Sequence, residues 1–215
     1  MDKWLIGTYL PLGMKETKSA STIGRPREFD LEEALNRAMQ VFWEKGYEGA
    51  SLSDLTEAMG INRPSLYAAF GNKESLFKKV LDNYGQGPAC HVHQALQEPT
   101  ARGVAEFLLR GTVDMLTNPK TPHGCLAVQS ALACGKDAEP VKMELNRRRS
   151  EMELAIRKRF ERAKEDGDFP ATVDVADLAR YICVVANGMS IQASTGASRE
   201  ELGKTVDLAL LAWPT

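Results

Sequence analysis

Arg63, Ser65 and Tyr67 place a cationic fork, a hydroxyl and a phenol on one side of the short stretch Arg63–Phe70. A short helix with that outer face suits the DNA major groove, where a guanidinium can donate twice to one guanine edge. Other reactive side chains are sparse. Histidine occurs at 91, 93 and 123, and cysteine at 90, 125, 134 and 183. Cys90-His-Val-His93, even with His123, matches no standard zinc spacing and reads as a plain loop cluster. No Ser-His-Asp set, phosphate-cradling glycine loop or catalytic carboxylate pair stands out, so neither an enzyme activity nor a cofactor or metal is expected. Cys125 is the one thiol of interest. It follows Pro122-His-Gly124 at the start of a helix, where N–H groups and the helix dipole favour a thiolate. A small apolar packing role accounts for the same residue.

The elements that must position Arg63 are legible on either side of it. Ser51 can cap a helix with Asp54 three residues on, and Leu52, Leu55, Ala58 and Met59 give that helix one apolar face. Gly60 permits the positive φ that ends it. Asn62 then caps a second helix with Pro64 in its first turn, and Leu66 and Phe70 can face the first helix. Before this pair, Asp30 caps a helix with Leu31, Leu35, Ala38, Met39 and Phe42 inward, closed by Gly46. Trp43 and Tyr47 are expected as core anchors. After it, Asn72 caps a helix with Leu76, Phe77, Val80, Leu81 and Tyr84 inward, and Gly85-Gln-Gly-Pro88 marks a domain boundary. Spacing alone leaves open an ordinary helical hairpin with a solvated outer face.

Gly24-Arg-Pro-Arg27, Phe42-Trp-Glu-Lys-Gly-Tyr47, Ser51-Leu-Ser-Asp-Leu55, Gly60-Ile61 and the run Pro64–Phe77 together resemble the start of a tetracycline-repressor (TetR) family regulator. The likeness is close over roughly residues 24–85 and extends beyond only as helical layout. It implies an all-α fold of about nine helices. A flexible arm over 1–24 precedes a three-helix helix-turn-helix DNA-binding domain over 25–85, and a helical ligand-binding and dimerisation domain follows over 86–215. The function implied is a homodimeric repressor that binds a palindromic double-stranded operator and is released by a small molecule. Position by position, the resemblance turns Arg63, Ser65 and Tyr67 toward bases or the nearby backbone, and Ser51, Ser53 and Lys73 toward phosphate. Asn62 and Leu66 join the expected DNA-contact set, as do Arg25 and Arg27 of a basic segment that can follow a groove. Some such regulators sense oxidants or electrophiles through cysteine, which makes Cys125 an alternative sensor. A dimeric helical scaffold without DNA binding is the other alternative.

Charge does not announce a nucleic-acid partner. Net charge is −2, and Met14–Gly85 holds ten Lys and Arg against eleven Asp and Glu. Attraction to phosphate must then come from local placement of Lys15, Lys18, Arg25, Arg27, Arg63 and Lys73. At 215 residues and 43% hydrophobic, the chain can bury one core or two small ones. Its cysteines form no secreted framework. Met1–Met14 lacks the apolar run of a signal peptide, so the expectation is a cytoplasmic protein with reduced thiols and Met14 a possible natural start.

The rest reads as helices. Thr100 starts one with Val104, Phe107, Leu108, Met115 and Leu116 inward, Cys125–Cys134 is short and apolar, and Glu139–Asp166 is long and amphipathic. The cations Arg147-Arg-Arg149 and Arg157-Lys-Arg159 read as a solvated face laced with ion pairs, not a second DNA site. Phe107, Met115, Cys125, Gln129, Met152 and Asn187 are the expected lining of a small-molecule pocket, although residues at such spacing are core by default. The helix over 174–195 is apolar around most of its circumference. Asp177, Arg180, Asn187 and Gln192 interrupt it too often for a membrane span, so its second face needs a partner. With the last helix, over 199–213, it would build a four-helix bundle across a two-fold axis, and the resemblance implies the same.

Overall fold

A computed structural model describes residues 29–133, 135, 138–170 and 172–214; Arg25, Arg27, the arm and Cys134 lie outside the described residues. The described residues form ten helices and no strand, one helix more than the spacing suggests. They are α1 (Leu31–Gly49), α2 (Leu52–Met59), α3 (Arg63–Phe70), α4 (Lys73–Gln86), α5 (His91–Ala95), α6 (Ala101–Leu116), α7 (Leu126–Ala133), α8 (Glu139–Glu165), α9 (Val175–Ser194) and α10 (Arg199–Leu211). The extra element is α5, a single turn within the weak segment after Pro88.

Capping side chains set where these helices begin. Asp30, Asn62, Asn72, Thr100 and Asp174 each accept from backbone N–H groups of the following turn. Ser51 with Asp54 and Ser198 with Glu201 complete reciprocal capping boxes. Each such cap satisfies donors that helix geometry leaves unpaired, worth about 1 kcal/mol. Gly46 has φ 69° inside α1 and kinks it, so the helix continues to Gly49 where the sequence suggests a stop.

Two cores result. The first buries Ala38, Phe42, Trp43, Leu55, Leu66, Leu76, Phe77 and Val80. Phe42 meets Phe77 edge-on at 4.9 Å, and Trp43 meets Tyr84 in the same way. Leu126, Ala138, Val141 and Leu145 belong to this core too, so α7 and the start of α8 pack against the N-terminal helices. The Trp43 indole N–H donates to the carbonyl of Gly124 at 3.0 Å across that contact. The second core gathers Leu108, Leu109, Leu116, Ile156, Phe160, Ile182, Met189, Val206 and Trp213 from α6, α8, α9, α10 and the segment after it. The inward stripe of α6 centres on Val104, Ala105, Leu108, Leu109 and Thr112. Phe107 lies beyond its edge and is 38% exposed, which corrects the expectation that it points inward.

Candidate nucleic-acid interface

The α2–turn–α3 unit is a short rod braced on a buried base. Gly60, at φ 67° and ψ 29°, closes α2 in the left-handed conformation and lets the chain double back. Leu55 and Met59 of α2 and Leu66 and Phe70 of α3 are buried between the helices and α1. With that face fixed, Arg63, Tyr67 and Ala68 are exposed and Ser65 is half-buried at the margin. Tyr67 is 48% exposed, high for an aromatic ring that a core could have taken.

Side-chain contacts refine the expected roles. Arg63 Nη2 donates to Ser53 Oγ at 3.0 Å, and among the described residues Arg63 has no carboxylate partner. Ser51 accepts from the Asp54 N–H and donates to the Asp54 carboxylate, so its hydroxyl is engaged in the cap. The Asn62 side chain accepts from Ser65 N–H at 2.9 Å and acts as the α3 cap. Leu66 is fully buried, so its place in the expected DNA-contact set is wrong: it is the four-residue partner of Phe70 on the inner face. Lys73 is half-buried with Nζ 4.6 Å above the Tyr47 ring, and burial lowers its pKa despite Glu48 and Asp54 nearby. Lys45 lies outside the expected contact set. It donates to Asp54 at 2.7 Å, and with the Ser51 hydrogen bonds it holds the Asp54 carboxyl well below the ordinary range. No helical period links positions nine residues apart in different helices, so periodicity carries no sign of that pair. It neutralises an acid at the start of α2; Glu33 with Arg37 and Glu74 with Lys78 do the same elsewhere.

This arrangement has counterparts among known proteins. Residues 34–80 match the family described as bacterial regulatory proteins, tetR family, and residues 106–209 match the tetracyclin repressor-like C-terminal domain. The HTH-type transcriptional repressor ComR of Escherichia coli K12 is 35% identical over 193 residues, covering 89% of this chain and 92% of ComR. The chain belongs to the TetR family. It is a helix-turn-helix transcriptional regulator and not an enzyme. BdcR, a second Escherichia coli K12 repressor of this type, is 29% identical over 90% of the chain and 94% of its own length. A cysteine-substituted mutant of the TetR family regulator CifR, solved with a 26-base-pair double-strand operator, is 45% identical. It superposes with a TM-score of 0.84 over 88% of this chain and all of its own.

In this TetR-family chain the expected pocket residues take several settings, and Phe107, Met115 and Cys125 adjoin one another in part. Phe107 and Met115 share an open groove of about 650 Å³ between α5 and α6, with Pro88, His91, Glu98 and Asp114. The buried His91 ring lies against Gly111, where a Cβ would come within 2.8 Å of it, and contacts the Thr112 hydroxyl at 3.1 Å. Gln129 donates instead to the His123 carbonyl, Met152 packs on the second core, and Asn187 is half-buried on α9. Cys125 joins Met115 at the Tyr84 hydroxyl. The Tyr84 hydroxyl is 3.1 Å from Met115 Sδ and 3.4 Å from Cys125 Sγ, and burial, then Cys125, pushes the phenol pKa well up. Several cations of α8 are paired with acids: Glu144 takes Arg147 and Arg148, Arg157 meets Glu161, and Arg148 also reaches Asp82 of α4 at 2.7 Å. Among the described residues no helix is long and apolar enough to cross a membrane, and no three metal-type side chains converge.

Proposed function

We propose that the chain is a repressor that binds a palindromic double-stranded operator as a homodimer in the cytoplasm and is released by a small molecule. The unit over 25–85 is the DNA-binding part, with α3 laid in the major groove of each half-site. Arg63 reads a guanine, Ser65 and Tyr67 face bases or the nearby backbone, and Ser53 and Lys73 face phosphate. Ser51 and Asn62 serve as caps that aim backbone N–H groups the same way. The observation that carries this reading is the outer face of α3. It holds a guanidinium unneutralised by any carboxylate among the described residues, and a phenol the core leaves out. ComR is a repressor and the CifR mutant is solved on operator DNA, and their likeness supports the same role here.

Dimerisation uses α9 and α10. Tyr181, Val184 and Ile191 are 39%, 61% and 43% exposed, and Leu208 and Leu211 are 67% and 80% exposed. Four-helix packing of those faces about a two-fold axis would cover them and set the spacing of two reading helices. An effector in the groove beside Phe107 and Met115 reaches α4 through the Met115–Tyr84 contact. A bias of about 1–3 kcal/mol between two head spacings is enough for release. A second reading is favoured by the sulfur contact. An adduct on Cys125 would displace Tyr84 directly, which makes Cys125 the sensor. Gel-shift titration against the DNA upstream of the coding region, with salt varied, tests the main reading. Binding should weaken linearly in log salt, and salt-independent or absent binding would overturn it.

A further inference from the structure

Ser53 and Arg63 stand ten residues apart in different helices, yet their side chains meet at 3.0 Å. The guanidinium has five N–H groups, and the bond to Ser53 uses one. The others remain free to meet a base edge in a bidentate pair. A serine oxygen that accepts one hydrogen bond still has its own proton to give. Among the described residues nothing accepts the Ser53 proton, whereas Ser51 gives its proton to Asp54. Ser53 is exposed in the first turn of α2, beside the face that α3 presents.

We infer that Ser53 is a positioning residue that sets the aim of Arg63 and ties it to the DNA backbone. This rests on the proposed seat of α3 in the major groove. An arginine side chain has many rotamers to lose on docking, and a hydroxyl that already selects one lowers that cost. When Ser53 donates its proton to a phosphate, its oxygen becomes a better acceptor for Arg63 Nη2. Anchoring the backbone thereby sharpens base reading. Phosphate contact and guanine contact are two ends of one relay.

A binding cycle on the full-length protein tests this. The probes are the duplex that the wild-type protein enriches from a randomised pool and a scrambled duplex of equal length. Ser53→Ala should weaken binding to the enriched duplex about tenfold and to the scrambled one much less. In the Arg63→Ala background, Ser53→Ala should add almost nothing. Ser53→Thr, which keeps the hydroxyl, should restore binding, and all variants should melt as the wild type does. Equal losses on both duplexes, or a Ser53→Ala loss undiminished without Arg63, would overturn the positioning role and leave Ser53 a plain phosphate contact. If Arg63→Ala binds the enriched duplex like wild type, the assignment of Arg63 falls, and this inference falls with it.

Discussion

The outer faces of α3 and of the α9–α10 pair are both left uncovered by the protein's own cores, but their chemistry is opposite. The α3 face offers a guanidinium, a hydroxyl and a phenol, while the other offers Val184, Ile191, Leu208 and Leu211. Polar donors on a rigid rod suit a hydrated groove lined with acceptors. Aliphatic side chains at those exposures suit a second protein surface of the same kind. Exposure shows which faces are open to a partner, and side-chain chemistry narrows which partner suits each.

The largest effect should come from breaking the apolar face. The pair Val184→Asp and Leu208→Asp should give monomers by analytical ultracentrifugation and weaken operator binding about a hundredfold or more, because one chain then holds one half-site. Next comes the polar face. Arg63→Ala should cost about 1–3 kcal/mol of operator binding and relax preference at one symmetric base position, with the dimer intact. A third change touches neither face. Trp43→Phe removes the indole donor to the Gly124 carbonyl and shrinks a buried side chain, and should cost about 1–3 kcal/mol of stability in thermal melts. Base preference should be unaltered.

The smallest effect is electrostatic. Arg147 and then Arg148 pull the Glu144 carboxyl from 4.5 to about 2. A carboxyl with a depressed folded pKa contributes stability above its unfolded value and loses it as pH falls through the folded one. The Glu144 pairs with Arg147 and Arg148 within α8 should therefore contribute fully above about pH 4.5 and lose that contribution toward pH 2. Glu144→Gln should flatten that part of a stability profile measured against pH.

The helix-turn-helix unit was almost completely legible in the sequence. Its caps, Gly60 and the Leu66–Phe70 pair are local signals whose geometry is settled within two turns. Leu66 shows the risk of copying contact sets from a resemblance, since the same periodicity that builds α3 turns it inward. The expected effector region was less legible. Phe107 and Met115 meet on one groove, Met115 and Cys125 meet at Tyr84, and Gln129 bonds the His123 carbonyl; which helix faces come together depends on packing between distant segments. The same limit hid Lys45–Asp54 and the Trp43–Gly124 bond, which join residues with no shared period. The second apolar face of α9, where Val184 and Ile191 are exposed, was visible as apolar residues around most of its circumference.

Dimethyl sulfate protection on the bound operator tests the central claim most directly, since the reagent attacks guanine N7 in the major groove. The prediction is two protected guanines related by the operator dyad, with protection lost in Arg63→Ala at protein concentrations that still saturate the DNA. A footprint on one side only, or symmetric protection that survives Arg63→Ala, would contradict it.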